Sequence, residues 1–345
     1  MTAVETPPQL RSSSPSLVLQ VLRFRELAIV VAILLVFGVT VLKDPSFANA
    51  LSIQQLLAGP AIIGLLAVGE TLVIVTRNVD LSVGSVLGLS AYLVGDLFVH
   101  DKSITIIVAL LYGLLIGVGC GLVNGVIVAY ARVPSLVVTL GTLYIIRGVT
   151  AVIVNGIQIN PTSIPQSFLK LGSGTILGIP YIFIITTVAV VVVGYVMRNY
   201  RAARDLYAIG SNPEAAVLAG IPVPRRILSA FVISGALAGL GGAIWLAEFA
   251  TVASTAGSGY ELLVVSAVVV GGVAIFGGSG TVLGAALGAL LLNTIDQALV
   301  ASRISSFWNQ AIAGAMLLLA ISFDRFVSLR AERALRRGEV EHGPA

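Results

Sequence analysis

Long apolar runs broken by short polar stretches organise almost the whole chain. A helix that crosses a bilayer needs about 20 mostly apolar residues. Runs of that order fall at 27–42, 56–76, 82–99, 104–130, 134–154, 175–197, 226–248, 260–276, 280–299 and 307–323. Only a few residues separate the second run from the third, and the eighth from the ninth. Each of these pairs reads either as two crossings or as one broken or re-entrant helix. The pattern predicts an all-α polytopic membrane protein of about ten transmembrane helices, within a range of 8–10. Residues 1–26 read as a disordered cytoplasmic tail, 27–325 as the transmembrane domain, and 326–345 as a basic cytoplasmic tail. No small-residue cleavage site precedes Lys43-Asp44-Pro45, so the first run reads as a span and not as a cleaved signal.

Charge sets the expected orientation. Of the 20 basic residues, Lys43, Lys102, Lys170 and Arg303 fall in loops on one side and Arg147 falls inside a span. The remaining fifteen, all arginines, fall on the other side. Arginine and lysine collect in cytoplasmic loops, so both termini are expected inside.

Composition excludes most other classes. Hydrophobic residues make up 57% of the chain and charged residues 10%, with a mean hydropathy of +1.02. A soluble domain carries about 25% charged residues. One cysteine (Cys120) and two distant histidines (His100 and His342) offer neither a disulfide framework nor a metal cluster. The net charge of +4 lies in the loops and implies no nucleic acid.

Two glycine patterns stand out. Gly113, Gly117, Gly121 and Gly125 recur every four residues, and Gly235, Gly239 and Gly242 nearly so. Such spacing suits close helix packing. Gly84-Ser85-Val86-Leu87-Gly88 also matches Gly280-Thr281-Val282-Leu283-Gly284, which suggests an internal repeat of interrupted helices. Transporters place their solute path at such interruptions.

The loop from Arg201 to Arg226 carries the most specific local signal. Asn212 suits a helix N-cap, Pro213 the first helical position and Glu214 the positive end of the dipole. Ala215 and Ala216 continue the helix, Gly220 can end it in the left-handed conformation, and Pro222 and Pro224 forbid extension. A two-turn helix is not stable alone in water. It must dock on this chain or on a partner.

Arg204 to Ile221, with Gly210, Ala215-Ala216 and Gly220, resembles the coupling-helix loop of bacterial ABC importer permeases. Three further segments resemble the ribose-type monosaccharide permease family. They are Arg77-Asn78-Val79-Asp80-Leu81-Ser82-Val83-Gly84-Ser85, Val133 to Thr142 followed by Arg147-Gly148, and Gly259-Tyr260-Glu261-Leu262 with Gly271-Gly272 and Gly277-Gly278-Ser279-Gly280. Asp296 and Phe307-Trp308-Asn309 are similar to the rhamnose and autoinducer-2 branch.

The resemblance implies the permease subunit of an importer in the bacterial cytoplasmic (inner) membrane. It would carry a small sugar-like solute (ribose, xylose, rhamnose or autoinducer-2) by alternating access through the lipid bilayer. The implied partners are an ABC ATPase subunit, a second permease copy or a paralogous permease, and an extracytoplasmic solute-binding protein. The coupling helix would lie at about 208–222, with Arg204, Gly210, Asn212, Glu214, Ala215, Ala216, Gly220 and Ile221 facing the ATPase. No cofactor is expected in this chain, and ATP is used by the partner. No lysine follows a glycine-rich turn, so the chain lacks a P-loop and is not expected to be an enzyme.

Polar residues inside spans are costly and often functional. Asp80, Ser82, Asn124, Arg147, Glu248 and Asp296 are the candidates for the translocation path. Each has a plainer reading. Arg147 would snorkel to the outer interface, Asp80 would cap a helix starting at Leu81, and Glu248 and Asp296 would sit at interfaces. Glu70 would pair with the Arg77 loop. The competing functional class is an ion-coupled secondary transporter, which would need no coupling helix.

Overall fold

A computed structural model describes residues 17–305, 307–322 and 325. The remaining tail residues of the two expected terminal segments, 1–16 and 326–345, lie outside the described residues. Helix α1 (Leu17–Lys43) starts ahead of the expected boundary at 27. It is followed by α2 (Ala50–Ile74), α3 (Val83–His100), α4 (Ile106–Ala129) and α5 (Ser135–Val154). Then come α6 (Gln166–Ser173), α7 (Tyr181–Asn199), α8 (Arg201–Ser211), α9 (Pro213–Leu218) and α10 (Val223–Phe249). The chain continues with α11 (Tyr260–Val270), α12 (Val282–Ala301) and α13 (Trp308–Ser322). Eight of these are long and apolar enough to cross a membrane, and α11 and α13 are shorter apolar helices. Each of the ten apolar runs thus carries one helix.

One expected span starts late. Residues 175–180 form a two-stranded hairpin, Thr175–Ile176 against Ile179–Pro180, and the helix begins only after Pro180. Leu177 and Gly178 make the turn at φ 53° and 83°. The apolar run hid these turn residues.

Helices α2 and α10 form the centre. α2 is buried at nearly every position from Gly64 to Ile74, whereas α1, α4, α5 and α7 expose apolar faces such as Leu34, Leu115, Tyr144 and Val191. A helix buried all round lies inside a bundle, and one with an apolar exposed face suits lipid. The glycine rows of α4 and α10 pack backbone to backbone, and a Cβ at Gly117 would overlap the Gly235 carbonyl. Phe98 and Phe168, with ring centroids 4.8 Å apart, close the opposite end beneath α6.

Two breaks interrupt this bundle, at 75–82 and 271–281. The first follows Ile74 and the second Val270, the same register if the two halves are offset by 196 residues. The next helices start at Val83 and Val282, an offset of 199. The matched glycines therefore do not occupy equal positions, because Gly84 and Gly88 lie inside α3 while Gly280 lies in the second break. Contacts suggest a different correspondence. Gly84 and Gly88 admit the chain at Ala256 and Gly257, and Gly284 and Gly288 admit α11 at Gly271 and Ala267.

Between α10 and α11 the chain dips inward. Val252 pairs with Ile159 at the end opposite the arginines, and Ala256 meets Arg147 of α5. Arg147 is twelve residues into α5, about 18 Å along it at 1.5 Å per residue. The turn-rich segment at 250–259 therefore covers part of the depth that the eleven residues of α11 cannot.

Candidate functional site

At the arginine-rich end α8 and α9 lie across the bundle. Asn212 accepts the Ala215 N–H at 3.1 Å and so caps α9. Gly220 has φ +76°, and the N–H groups of Gly220 and Ile221 bond back to the carbonyls of Val217 and Ala216 at 3.0 Å. A β-branched residue is strained at that φ.

The placement corrects two expected roles. Gly210 does not face outward. It is buried on α8 where a Cβ would overlap the Val75 carbonyl and crowd Gly278, so it lets α8 seat against the first break. Ala216 is only 3% exposed and packs inward. The outward surface of α9 consists of Glu214, Ala215, Val217 and Leu218, the last two 61% and 89% exposed. Ile221 is half-buried at the helix end. Arg204 is exposed on α8 beside α7 and α12. Asp205 and Arg226, 2.9 Å apart, tie α8 to α10. Burial pushes the Tyr207 hydroxyl up to about 12, and it donates to the Gly280 carbonyl at 3.0 Å.

Arg77 joins this end to the membrane interior. Its guanidinium donates to the carbonyls of Gly210 and Ser211 at the C-terminus of α8. The Gly278 N–H donates to the Val75 carbonyl at 2.9 Å, so both breaks meet beneath α8. Glu70 pairs with the Arg77 loop as expected, but through the loop's backbone and not through the guanidinium. It turns inward, and its Oε1 accepts the Asp80 N–H at 2.9 Å.

Asp80 does not cap a helix at Leu81, because α3 starts at Val83. Its Oδ1 accepts from the N–H and the hydroxyl of Ser82, at 2.9 and 2.6 Å, and shapes the turn before α3. Asn124 of α4 donates to the Ser82 hydroxyl at 2.8 Å. Val79 is held by α5 on both sides, since Ser135 accepts its N–H and Thr139 donates to its carbonyl, each at 3.2 Å. Asp80, Ser82 and Asn124 thus form one network that is at most 1% exposed. Glu70 Oε2 and Asn124 Oδ1 remain without a hydrogen-bond partner among the described residues.

Arg147 does not snorkel. It donates to the Ala256 carbonyl at 2.7 Å and faces Glu261 at 3.7 Å, with both side chains less than a fifth exposed. Glu261 was not singled out from the sequence, although it stood inside a matched motif. The pair joins α5 to the start of α11, where Glu261 also touches Gly84 of α3. Glu248 and Asp296 are within electrostatic reach of the Tyr260 hydroxyl. The Tyr260 ring packs edge-on against Trp245 at 5.0 Å, and Trp245 packs on Phe249 at 4.4 Å. The six path candidates therefore divide into a buried network, an ion pair and two carboxylates beside an aromatic cluster.

The four sequence motifs converge in space around the first break. This arrangement contains no assembled nucleophile and base, and no three metal-type ligands gather among the described residues. Chemically it can hold interrupted helices in register and present polar groups within an apolar bundle.

Comparison with known proteins agrees with this picture. Residues 52–321 match the family described as branched-chain amino acid transport system / permease component. The autoinducer 2 import system permease protein LsrC of Enterobacter sp. (strain 638) is 36% identical over 325 residues, spanning 93% of this chain and 94% of the relative. Its namesake in Escherichia coli (strain K12 / DH10B) is 34% identical over 313 residues, spanning 91% and 90%. That of Yersinia pseudotuberculosis is 33% identical over 313 residues, spanning 91% and 88%. No solved structure matches. The chain is a multi-pass membrane protein and belongs to this family of transport-system permease components.

Proposed function

We propose that the chain is the translocation subunit of an ATP-driven importer in the bacterial inner membrane, and that its solute is a small sugar-like molecule of the autoinducer-2 kind. Both termini and the α8–α9 arm lie in the cytoplasm. A separate ABC ATPase docks on α9, a second permease copy or paralogue completes the path, and an extracytoplasmic binding protein delivers solute. ATP is consumed by the partner, and this chain holds no cofactor.

The observation that carries this reading is α9. Val217 and Leu218 point away from the bundle on a short capped helix with charged Glu214 beside them. An apolar pair on a basic, water-facing arm has no lipid to cover it, and a protein partner would. The named relatives support a sugar-like solute over the amino acids of the family description. Asp80, Ser82, Asn124, Arg147, Glu248 and Asp296 would line or shape the path, together with Glu261.

The test is reconstitution in liposomes. The chain alone should neither hydrolyse ATP nor take up labelled autoinducer 2 or ribose. Uptake should require ATP, the ATPase and the binding protein together. Uptake by the chain alone on a proton or sodium gradient would overturn the proposal in favour of a secondary transporter.

A further inference from the structure

A groove of about 990 Å³ opens between α1, α7, α8 and α12 near the arginine-rich end. Its walls include Val190 and Val191 of α7 and Val282 and Leu283 of α12, and its mouth carries Arg198 and Arg204. A narrower apolar cavity of about 200 Å³ lies deeper, between α2, α7 and α12. Val190 and Leu283 line both, so the two adjoin along α7 and α12.

The charges at the mouth are unbalanced. Arg198 and Arg204 are exposed, and among the described residues neither has a carboxylate within 4.0 Å. The carboxylate in the lining is Glu26, whose Oε1 accepts the Thr281 hydroxyl at 2.6 Å. Tyr195 stands at the same level, as aromatic residues do at a membrane interface.

The depth also fits. From Arg198 to Thr187, which lines the deeper cavity, α7 rises about 16 Å at 1.5 Å per residue. One leaflet of a hydrocarbon core about 30 Å thick is about 15 Å deep. Cations at the interface and an apolar slot one leaflet long complement an anionic headgroup and its acyl chain.

We propose that this cleft is a binding site for an anionic glycerophospholipid of the leaflet on the arginine side. The phosphate and headgroup sit against Arg198 and Arg204, and one acyl chain follows α7 into the slot between α2 and α12. Because Arg204 belongs to α8, the lipid also ties α8 to α7.

The full chain, purified in mild detergent, is titrated by native mass spectrometry with phosphatidylglycerol, phosphatidylcholine or inorganic phosphate. Phosphatidylglycerol should bind at least about tenfold more tightly than phosphatidylcholine, and phosphate should not displace it. The double variant Arg198→Gln/Arg204→Gln should lose that preference. Gly194→Leu should lose it too with both arginines in place, since Gly194 lines the groove and a Cβ there meets nothing within 4 Å. Arg225→Gln, on α10, should keep it. Equal binding of the two lipids by the parent overturns the proposal, as does displacement by phosphate. An unchanged preference in Gly194→Leu also overturns it, and this variant decides the matter if the arginine double variant fails to fold.

Discussion

Ala216 and Leu218 stand two residues apart on α9 and face opposite ways, 3% and 89% exposed. Ala216→Glu would bury a carboxylate against the bundle, at a cost of about 3 kcal/mol or more for a charged group left unpaired. Expression and thermal stability should fall, visible in a detergent melting assay. Leu218→Glu should leave the melting temperature unchanged but weaken ATPase co-purification, by about 2 kcal/mol if it is an interface hot spot. Normal co-purification of Leu218→Glu would remove α9 as the docking element.

The Arg147–Glu261 pair tests a second residue-scale claim. Arg147→Ala leaves Glu261 facing an apolar interior and should destabilise the chain by about 1–3 kcal/mol. The double change Arg147→Met/Glu261→Gln should regain most of that loss, because replacing both partners removes the uncompensated charge. A double variant no more stable than Arg147→Ala would show that the pair contributes nothing as a pair.

Among the elements, α8 depends on contacts that no propensity argument reveals. It has no side-chain N-cap, and its position rests on Arg77, Gly210 and the Asp205–Arg226 pair. Arg77 itself sits at φ +65°, where a residue with a side chain is strained. Arg77→Gly relieves that strain but deletes both hydrogen bonds to α8. The expected result is faster proteolysis within 201–226 and slower uptake, with the membrane helices intact. Unchanged proteolysis and uptake would show that α8 is held by packing alone.

For the whole molecule the testable quantity is sidedness. Lys102 donates to the Thr162 carbonyl at 2.8 Å, so the α3–α4 loop and the segment before α6 share one end. Arg77 and the carbonyls of Gly210 and Ser211 share the other. With Cys120 replaced, cysteines introduced at Lys102 and Lys170 should react with impermeant reagents from outside whole cells. Cysteines at Arg201 or Arg225 should react only after permeabilisation. Labelling of Arg201 from outside would reverse the orientation.

What local chemistry controls is legible along the chain. Apolar length placed the eight helices long enough to cross a membrane and the two shorter apolar ones. Asn212, Pro213 and Gly220 marked the ends of α9, because a cap, a missing N–H and a positive φ each act within a few residues. Motifs carried the family, since they recur in order along the chain. Packing in three dimensions sets which side chains face which neighbours. Two adjacent alanines look alike in sequence, and only the packing of α9 turns Ala215 outward and Ala216 inward. Gly210 reads as part of a docking loop until the Val75 carbonyl fills the space its Cβ would need. Asp80, Asn124 and Arg147 find their partners across 42 to 109 residues or beside a shifted helix start, and no periodicity encodes such distances. The cleft lined by α2, α7 and α12 likewise follows from side-chain volumes packed in three dimensions and not from any one run of residues.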